Sequence, residues 1–224
     1  MGKRNNSITR PPVIQYERMS KDGFAYAYRY QDLFCVGCIP DEIAEYLATN
    51  FRDKMADKLY PASQDWADWV KQRTVGSLMR PAVMFVMNGA DGKAEVAGAS
   101  WIDDSRMISD DKWAGEMAFA ILPGYREYSF LFARMAIEWA FRENIGLSTL
   151  YSFIHVDNRR SVWFSGQLGF EVSPAMPGFF GRRGSSHRGH LVSLTQRHWN
   201  RLGTIEEKVE QVADMVQNVK VAGE

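Results

Sequence analysis

The sequence predicts an α+β protein: a mixed, mostly antiparallel central sheet flanked by helices, with an additional helix at the C-terminus. Three observations lead there. Residues 81–87 are an apolar, β-favouring run, followed by the turn-dense string Asn88-Gly89-Ala90-Asp91-Gly92 and a returning run over 95–102; together they read as a hairpin. Tyr128, Leu131, Phe132, Met135, Ala136, Trp139 and Ala140 then recur at helical spacing directly behind a Pro123-Gly124 break. Residues 147–156 make a strand apolar enough to be buried on both faces, and Asn158 caps a further helix that Gly169 ends.

The other elements follow in chain order. Residues 1–12 are polar, end in Pro11-Pro12 and read as an arm outside the core, with the domain itself over 13–202. Residues 16–30 are rich in aromatics and contain the turn signal Asp22-Gly23, which predicts a strand or short hairpin. Pro40 suits the first position of a helix. Ile43, Leu47, Phe51, Met55 and Leu59 then recur every four residues until Pro61 stops the stripe. Ser63 can cap a second short helix carrying Trp66, Trp69 and Val70. Residues 113–122 read as the third strand of a meander. Behind Gly169, residues 170–172 and 189–194 read as two final strands joined by a Gly- and Arg-rich loop over 177–188. Ile205, Val209, Val212, Val216 and Val219 form the narrow seam of an amphipathic helix within 203–224, which can dock on the domain's own surface or join two copies into a homo-oligomer.

Bulk composition removes several function classes. At 224 residues, 46% of them hydrophobic, the chain can bury a full single-domain core. Twenty-seven basic residues balance 27 acidic ones, so nothing global draws the protein to nucleic acid or an anionic membrane. No stretch approaches the roughly 18 apolar residues of a membrane span, and the polar N-terminus lacks a signal-peptide core. Two cysteines cannot build a disulfide framework, and a cytoplasmic setting is expected. Cys35-Val36-Gly37-Cys38 lacks the further ligands a metal needs and the β-α-β context of a redox pair, so both read as structural and no metal site is predicted.

Residues 116–170 carry the functional signal. They read as strand, turn, long helix and strand, and close on Asn158-Arg159-Arg160-Ser161-Val162-Trp163-Phe164-Ser165-Gly166-Gln167-Leu168-Gly169-Phe170. This stretch resembles the cofactor-binding half of the GNAT superfamily of N-acetyltransferases. In that family an apolar pair and Pro end the strand, and Arg/Gln-x-x-Gly-x-Gly/Ala opens the long helix. Ile121 and Leu122, with Pro123, Gly124, Tyr125 and Arg126, match the lead-in, and the six motif positions are Arg126, Glu127, Tyr128, Ser129, Phe130 and Leu131.

The resemblance implies acetyl-CoA as co-substrate, its pyrophosphate held by the N–H groups and dipole of a first helical turn. Arg126 keeps the family pattern. Ser129 is small, and its hydroxyl can donate to a phosphate, whereas the branched Leu131 would crowd the anion and Glu127 adds negative charge. Asn158 and Ser161 fill the family's Asn-x-x-Ala positions, and Leu168-Gly169-Phe170 its Leu-Gly-Phe ending. The family often places a tyrosine as the acid for the departing thiolate where this chain has Ser165, which leaves that task to water, another tyrosine or no group.

On the acceptor side, an ammonium group has no lone pair with which to attack a thioester, so a base must take its proton. Glu116, in the strand leading to Pro123, resembles the glutamate base of histone-acetylating members; as plain chemistry it is also a strand-edge glutamate. His155 is an alternative base or a hydrogen-bonded histidine. Asp103 and Asp104 either attract a cationic acceptor or mark a turn. Arg182, Arg183, His187, Arg188 and His190 form a basic cluster that could meet an acidic protein, a nucleotide or nucleic acid, or be a solvated loop. The expected function is transfer of an acetyl group from acetyl-CoA to the amine of a small molecule or a protein. Two alternatives stand beside it: a catalytically inactive GNAT-fold structural or binding component, such as a bacteriophage virion protein, and a transferase that modifies nucleic acid.

Overall fold

The computed structural model describes residues 26–30, 32–37, 43, 46–47, 50, 82–89, 91–109, 112–142, 147–182 and 185–203. The polar arm, Asp22-Gly23, Pro40, Cys38, the lower part of the residue 43–59 stripe, the Ser63 helix and residues 204–224 lie outside them. Strands β1 (Tyr26–Tyr30), β2 (Leu33–Gly37), β3 (Ala82–Asn88), β4 (Ala94–Ser109) and β5 (Lys112–Ile121) form an antiparallel meander. A 3-10 stretch (Pro123–Tyr128) leads into helix α1 (Ser129–Arg142) and strand β6 (Leu147–His155). Helix α2 (Arg159–Gln167), strands β7 (Glu171–Val172), β8 (Met176–Arg182) and β9 (Ser185–Thr195), and helix α3 (Gln196–Arg201) complete the described chain.

The sheet runs β1-β2-β3-β4-β5-β6-β9-β7, with β8 hydrogen-bonded to β9. Its one parallel pair among the described strands is β5–β6, because α1 carries the chain back across the sheet between them. This is the mixed, mostly antiparallel sheet that the sequence predicts.

Two local expectations need correction. Residues 177–182 and 185–188 are not a loop: β8 and β9 pair from Met176↔Gly189 to Arg182↔Ser185, so Arg182, His187, Arg188 and His190 lie on paired strands, with Arg183 outside the described residues. Strand β4 does not end near Ile102 but runs on to Ser109, which places Asp103 and Asp104 inside a strand. Cys35 lies within β2 opposite Phe85.

Apolar side chains divide between the two faces of the sheet, as the two-residue period of a strand requires. One face, with Val83, Phe85, Ile102, Met117 and Leu150, buries α1 through Phe132, Met135, Ala136 and Trp139. Phe85 and Phe132 stack there with centroids 4.9 Å apart. On the opposite face Met84, Val86, Val96 and Trp101 pack with Ile43 and Leu47, which are helical as their spacing predicts. Helix α1 also buries two charged residues. The Arg134 guanidinium lies 5.9 Å from the centre of the Trp199 ring, and the Trp199 indole N–H donates to Glu138. Together they fasten α3 to α1.

Both caps read from the sequence form as chemistry dictates. The Asn158 side chain accepts from the Ser161 N–H at 3.3 Å, closing the first turn of α2. At its other end Phe170 N–H donates to Ser165 C=O and Gly169 N–H to Gly166 C=O, both at 3.0 Å. With φ +90 at Gly169 this is a Schellman ending, which a residue lacking Cβ adopts without strain.

Candidate active site

Strands β5 and β6 pair in parallel at Trp113↔Leu147, Ala114↔Thr149, Gly115↔Leu150 and Glu116↔Tyr151, and there the ladder stops. Both strands nevertheless continue. Residues 117–121 remain bonded to β4 on their far side, up to Ile121↔Gly98, and residues 152–155 to β9, up to His155↔Gly189. A wedge therefore opens between two strands that each have only one strand partner beyond its apex. Backbone groups on the facing edges are left outside the ladder, which makes them available to an extended ligand. The 3-10 stretch and the start of α1 stand at the mouth on the β5 side; the start of α2 stands there on the β6 side.

On the α1–α2 face, aromatic rings join the two sides of this opening. Phe119 of β5 stacks on Phe164 of α2 at 5.1 Å, Phe130 of α1 lies 4.3 Å from Phe164, and Trp163 meets Phe130 edge-on at 5.8 Å. On the opposite face Glu116 alternates with Met117, so it shares a side with Ala118 and Ala120. Along β5 the side chains that follow Glu116 on that side are small.

Around Glu116 that same face gathers a polar constellation. Asp103 is its cross-strand partner on β4, and Tyr151 its partner on β6. Between Asp103 and Arg106 β4 bulges, and Asp104 takes φ +44, a left-handed conformation that aspartate tolerates better than most residues. The Tyr151 hydroxyl reaches the Asp104 backbone oxygen at 3.1 Å and its carboxylate at 3.0 Å. Arg106 pairs with the Asp104 carboxylate, and its guanidinium lies 5.7 Å from the Tyr151 ring centre. Burial raises the Tyr151 pKa above the ordinary phenol value; Glu116 and Asp103 add to the rise, while Arg106 opposes it. The tyrosine therefore keeps its proton at neutral pH. Sequence reading gave Tyr151 no role, because only the bulge and the strand register bring it to Glu116.

At the mouth, the turn differs in detail from the first α-helical turn expected at Arg126. Residues from Pro123 to Tyr128 are 3-10, with an interruption at Tyr125 (φ −119, ψ 15), and the α-helix begins at Ser129. Arg126 and Glu127 are exposed, and Tyr128 packs edge-on against Phe132 at 6.5 Å. The Ser129 hydroxyl donates to the Arg126 carbonyl at 2.6 Å, so in this conformation it caps the turn and does not serve as a free phosphate donor. Leu131 is half-buried and packs with Phe130 against the α1-side core. Ile121 is half-buried at the end of β5, and buried Leu122 donates its N–H to the Ala97 carbonyl at 2.8 Å.

The remaining candidates fall farther out. Asn158 and Ser161 are tied to each other at the start of α2, beside the mouth on the β6 side. Ser165 sits in the last turn of α2, where its carbonyl closes the helix. His155 ends β6, and its Nδ1 accepts the Asp157 N–H at 3.2 Å, so that nitrogen is engaged by the turn. Arg188 donates to the Ala175 carbonyl at 3.2 Å, and His190 Nδ1 lies 2.8 Å from the Ser173 carbonyl. Both are thus fixed to the segment between β7 and β8. Among the described residues no group of His, Cys, Asp and Glu is arranged to hold a metal ion, and no helix is long and apolar enough to cross a membrane.

No protein-family model matches the chain, and no curated protein sequence matches it. Solved structures do. A chimera of the Vibrio cholerae spermidine N-acetyltransferase aligns with a TM-score of 0.59 at 12% identity, over 75% of this chain and 98% of that one. The Vibrio cholerae spermidine N-acetyltransferase in complex with CoA and spermine gives 0.58 at 14% identity, over 76% and 99%. Ribosomal-protein-S5-alanine acetyltransferase from Vibrio fischeri gives 0.58 at 14% identity, over 77% and 97%. The fold is that of the GNAT acetyltransferases, as the motif resemblance implies.

Proposed function

We propose that the chain is an N-acetyltransferase that moves an acetyl group from acetyl-CoA to an amine. One observation carries this reading: the β5–β6 ladder ends at Glu116↔Tyr151 while both strands run on, opening a cleft whose backbone edges lie outside that ladder. An arm of alternating amides and methylenes, such as the pantetheine of coenzyme A, suits such a cleft. The solved neighbours support the co-substrate and the reaction class, since one was crystallised with CoA and spermine. The acceptors in their names, spermidine and an alanine of a ribosomal protein, differ from each other, so the shared fold does not choose this chain's acceptor.

In this reading Arg126 and the turn around it meet the pyrophosphate, and the Asn158 amide NH₂ is available to a pantetheine carbonyl. A backbone N–H on the open edge of β5 polarises the thioester carbonyl. Acetyl-CoA supplies a thioester carbon for attack, with the thiolate as leaving group. Glu116 takes the proton of the incoming amine, directly or through water, so that the nitrogen lone pair is free to form the new C–N bond as the C–S bond breaks. Tyr151, the partner of Glu116 across the ladder, keeps its proton at neutral pH and is the candidate acid in place of the tyrosine absent at Ser165, once its hydroxyl leaves Asp104. Asp103 adds negative charge beside the amine's path, and Ile121, Leu122, Tyr128, Ser129, Phe130 and Leu131 shape the mouth.

Titration calorimetry with acetyl-CoA tests the reading. Saturable binding, with a rise in Tm that grows with ligand concentration, is expected. A second reading rests on the Ser129 hydroxyl, spent on the Arg126 carbonyl, and on serine at position 165: a GNAT-fold binding component without catalysis. Absence of any binding at millimolar acetyl-CoA would select that second reading.

A further inference from the structure

The turn carrying Arg126 leaves the sheet at Leu122. Leu122 donates to Ala97 at 2.8 Å and accepts from Tyr125 N–H at 2.9 Å, which fixes where the turn leaves the sheet. Beyond that, a Cβ built on Gly124 would meet nothing within 4 Å, so the turn stands clear of the body of the protein at that residue. The next residue, Tyr125, is the one whose dihedrals interrupt the 3-10 run. Its ring packs against the cores on both faces of the sheet, and its hydroxyl donates to Glu95 Oε2 at 2.5 Å.

Glu95 comes from a different part of the fold. It is the second residue of β4, opposite Met87 across the β3–β4 hairpin, thirty positions before Tyr125. A third element converges on it: the charge of Glu95 reaches Tyr46, on the helical segment of the opposite face. Burial and the Glu95 carboxylate both hold the Tyr125 phenol in its protonated form, so it remains a donor across the neutral range. A hydrogen bond from a neutral phenol to a carboxylate is charge-assisted, stronger and more directional than one between neutral groups. The hydrogen-bond donor to this carboxylate is the residue that immediately precedes Arg126.

We propose that Glu95 is a positioning residue for the coenzyme: through Tyr125 it fixes the turn that presents Arg126. This rests on the acetyltransferase reading, and the experiment separates the two. Tyr125→Phe and Glu95→Ala are each expected to raise the KM and Kd for acetyl-CoA about tenfold, the equivalent of about 1.4 kcal/mol. Turnover at saturating acetyl-CoA should stay within about twofold, because the group does not touch the reacting atoms. Glu95→Gln, which retains an acceptor, should recover most of the affinity, and the double variant should be no weaker than either single one. Hydrogen exchange of the amides of residues 124–128, measured without ligand, should accelerate in Tyr125→Phe and Glu95→Ala while the core strands keep their protection. Wild-type affinity in both single variants, or a loss confined to kcat, overturns the proposal. If the unaltered protein binds no acetyl-CoA, accelerated exchange in the turn still supports the anchoring while the coenzyme reading falls. Unchanged exchange overturns the anchoring itself.

Discussion

Glu116 and Tyr151 are the last paired residues of the parallel ladder between β5 and β6, and in parallel strands such partners share a face of the sheet. That places a carboxylate and a buried, protonated phenol at the apex of the wedge, with Asp103 across β4. The proposed acetyl transfer calls for a proton acceptor for the amine and can use a proton donor for the thiolate. Both kinds of group stand here, supplied by neighbouring strands.

Glu116→Gln keeps the shape of the apex and removes its base. Turnover should fall by about 10² or more, with the affinity for acetyl-CoA within twofold of the unaltered protein. Steady-state kinetics paired with calorimetry reads both numbers. An equal loss of affinity would instead assign Glu116 to binding.

Leu131→Ala distinguishes packing from obstruction. Because Leu131 is half-buried against the α1-side core, its truncation should destabilise the fold by about 1–2 kcal/mol and leave the acetyl-CoA Kd nearly unchanged. Denaturant unfolding and titration calorimetry measure the two effects. Markedly tighter acetyl-CoA binding in the variant would show that Leu131 crowds the pyrophosphate.

Gly169→Ala tests the ending of α2. At φ +90 an alanine is strained, and its Cβ would lie 2.6 Å from Leu202 Cδ1, so the side chain beyond α3 must move as well. A loss of about 2 kcal/mol is expected, equivalent to a Tm lower by roughly 4–8 °C in a domain of this size. Calorimetric melting supplies the value.

Alkaline pH should unfold the protein through its tyrosines. Burial raises the pKa of Tyr46, Tyr125 and Tyr151 above the ordinary phenol value of 10.0, so the folded state holds these protons longer than the unfolded chain does. Their contribution is fully present below pH 10 and declines as pH climbs from there toward the folded-state values. Each tyrosine still protonated only in the folded state removes about 1.4 kcal/mol per pH unit. Unfolding curves from pH 8 to 11 should show a flat region followed by a fall. Tyr125→Phe should make that fall shallower.

Sequence by itself determined the frame. The meander, the long helix behind Pro123-Gly124, the Asn158 cap and the Gly169 ending are local events, governed by side-chain period, turn chemistry and missing Cβ atoms, and the structure forms each of them. Where a run ends depends on its neighbours: β4 runs on past Asp103 because β5 pairs with it as far as Ser109↔Lys112, and the arginine-rich segment becomes a hairpin because β9 offers β8 an edge. The site shows the same division. Glu116, Arg126 and Asn158 could be named from a motif, since each lies at a fixed distance along the chain from a turn or cap. Tyr151 and Glu95 could not, nor could the task of Tyr125, because the partners lie 47 positions apart for the Tyr151–Asp104 contact and 30 for Tyr125–Glu95. Only strand register brings such residues together, and register is set by how whole strands bury their apolar faces. The wedge belongs to the same class: a ladder that stops after Glu116↔Tyr151 is a property of two strands drawn apart by different partners, β4 on one side and β9 on the other.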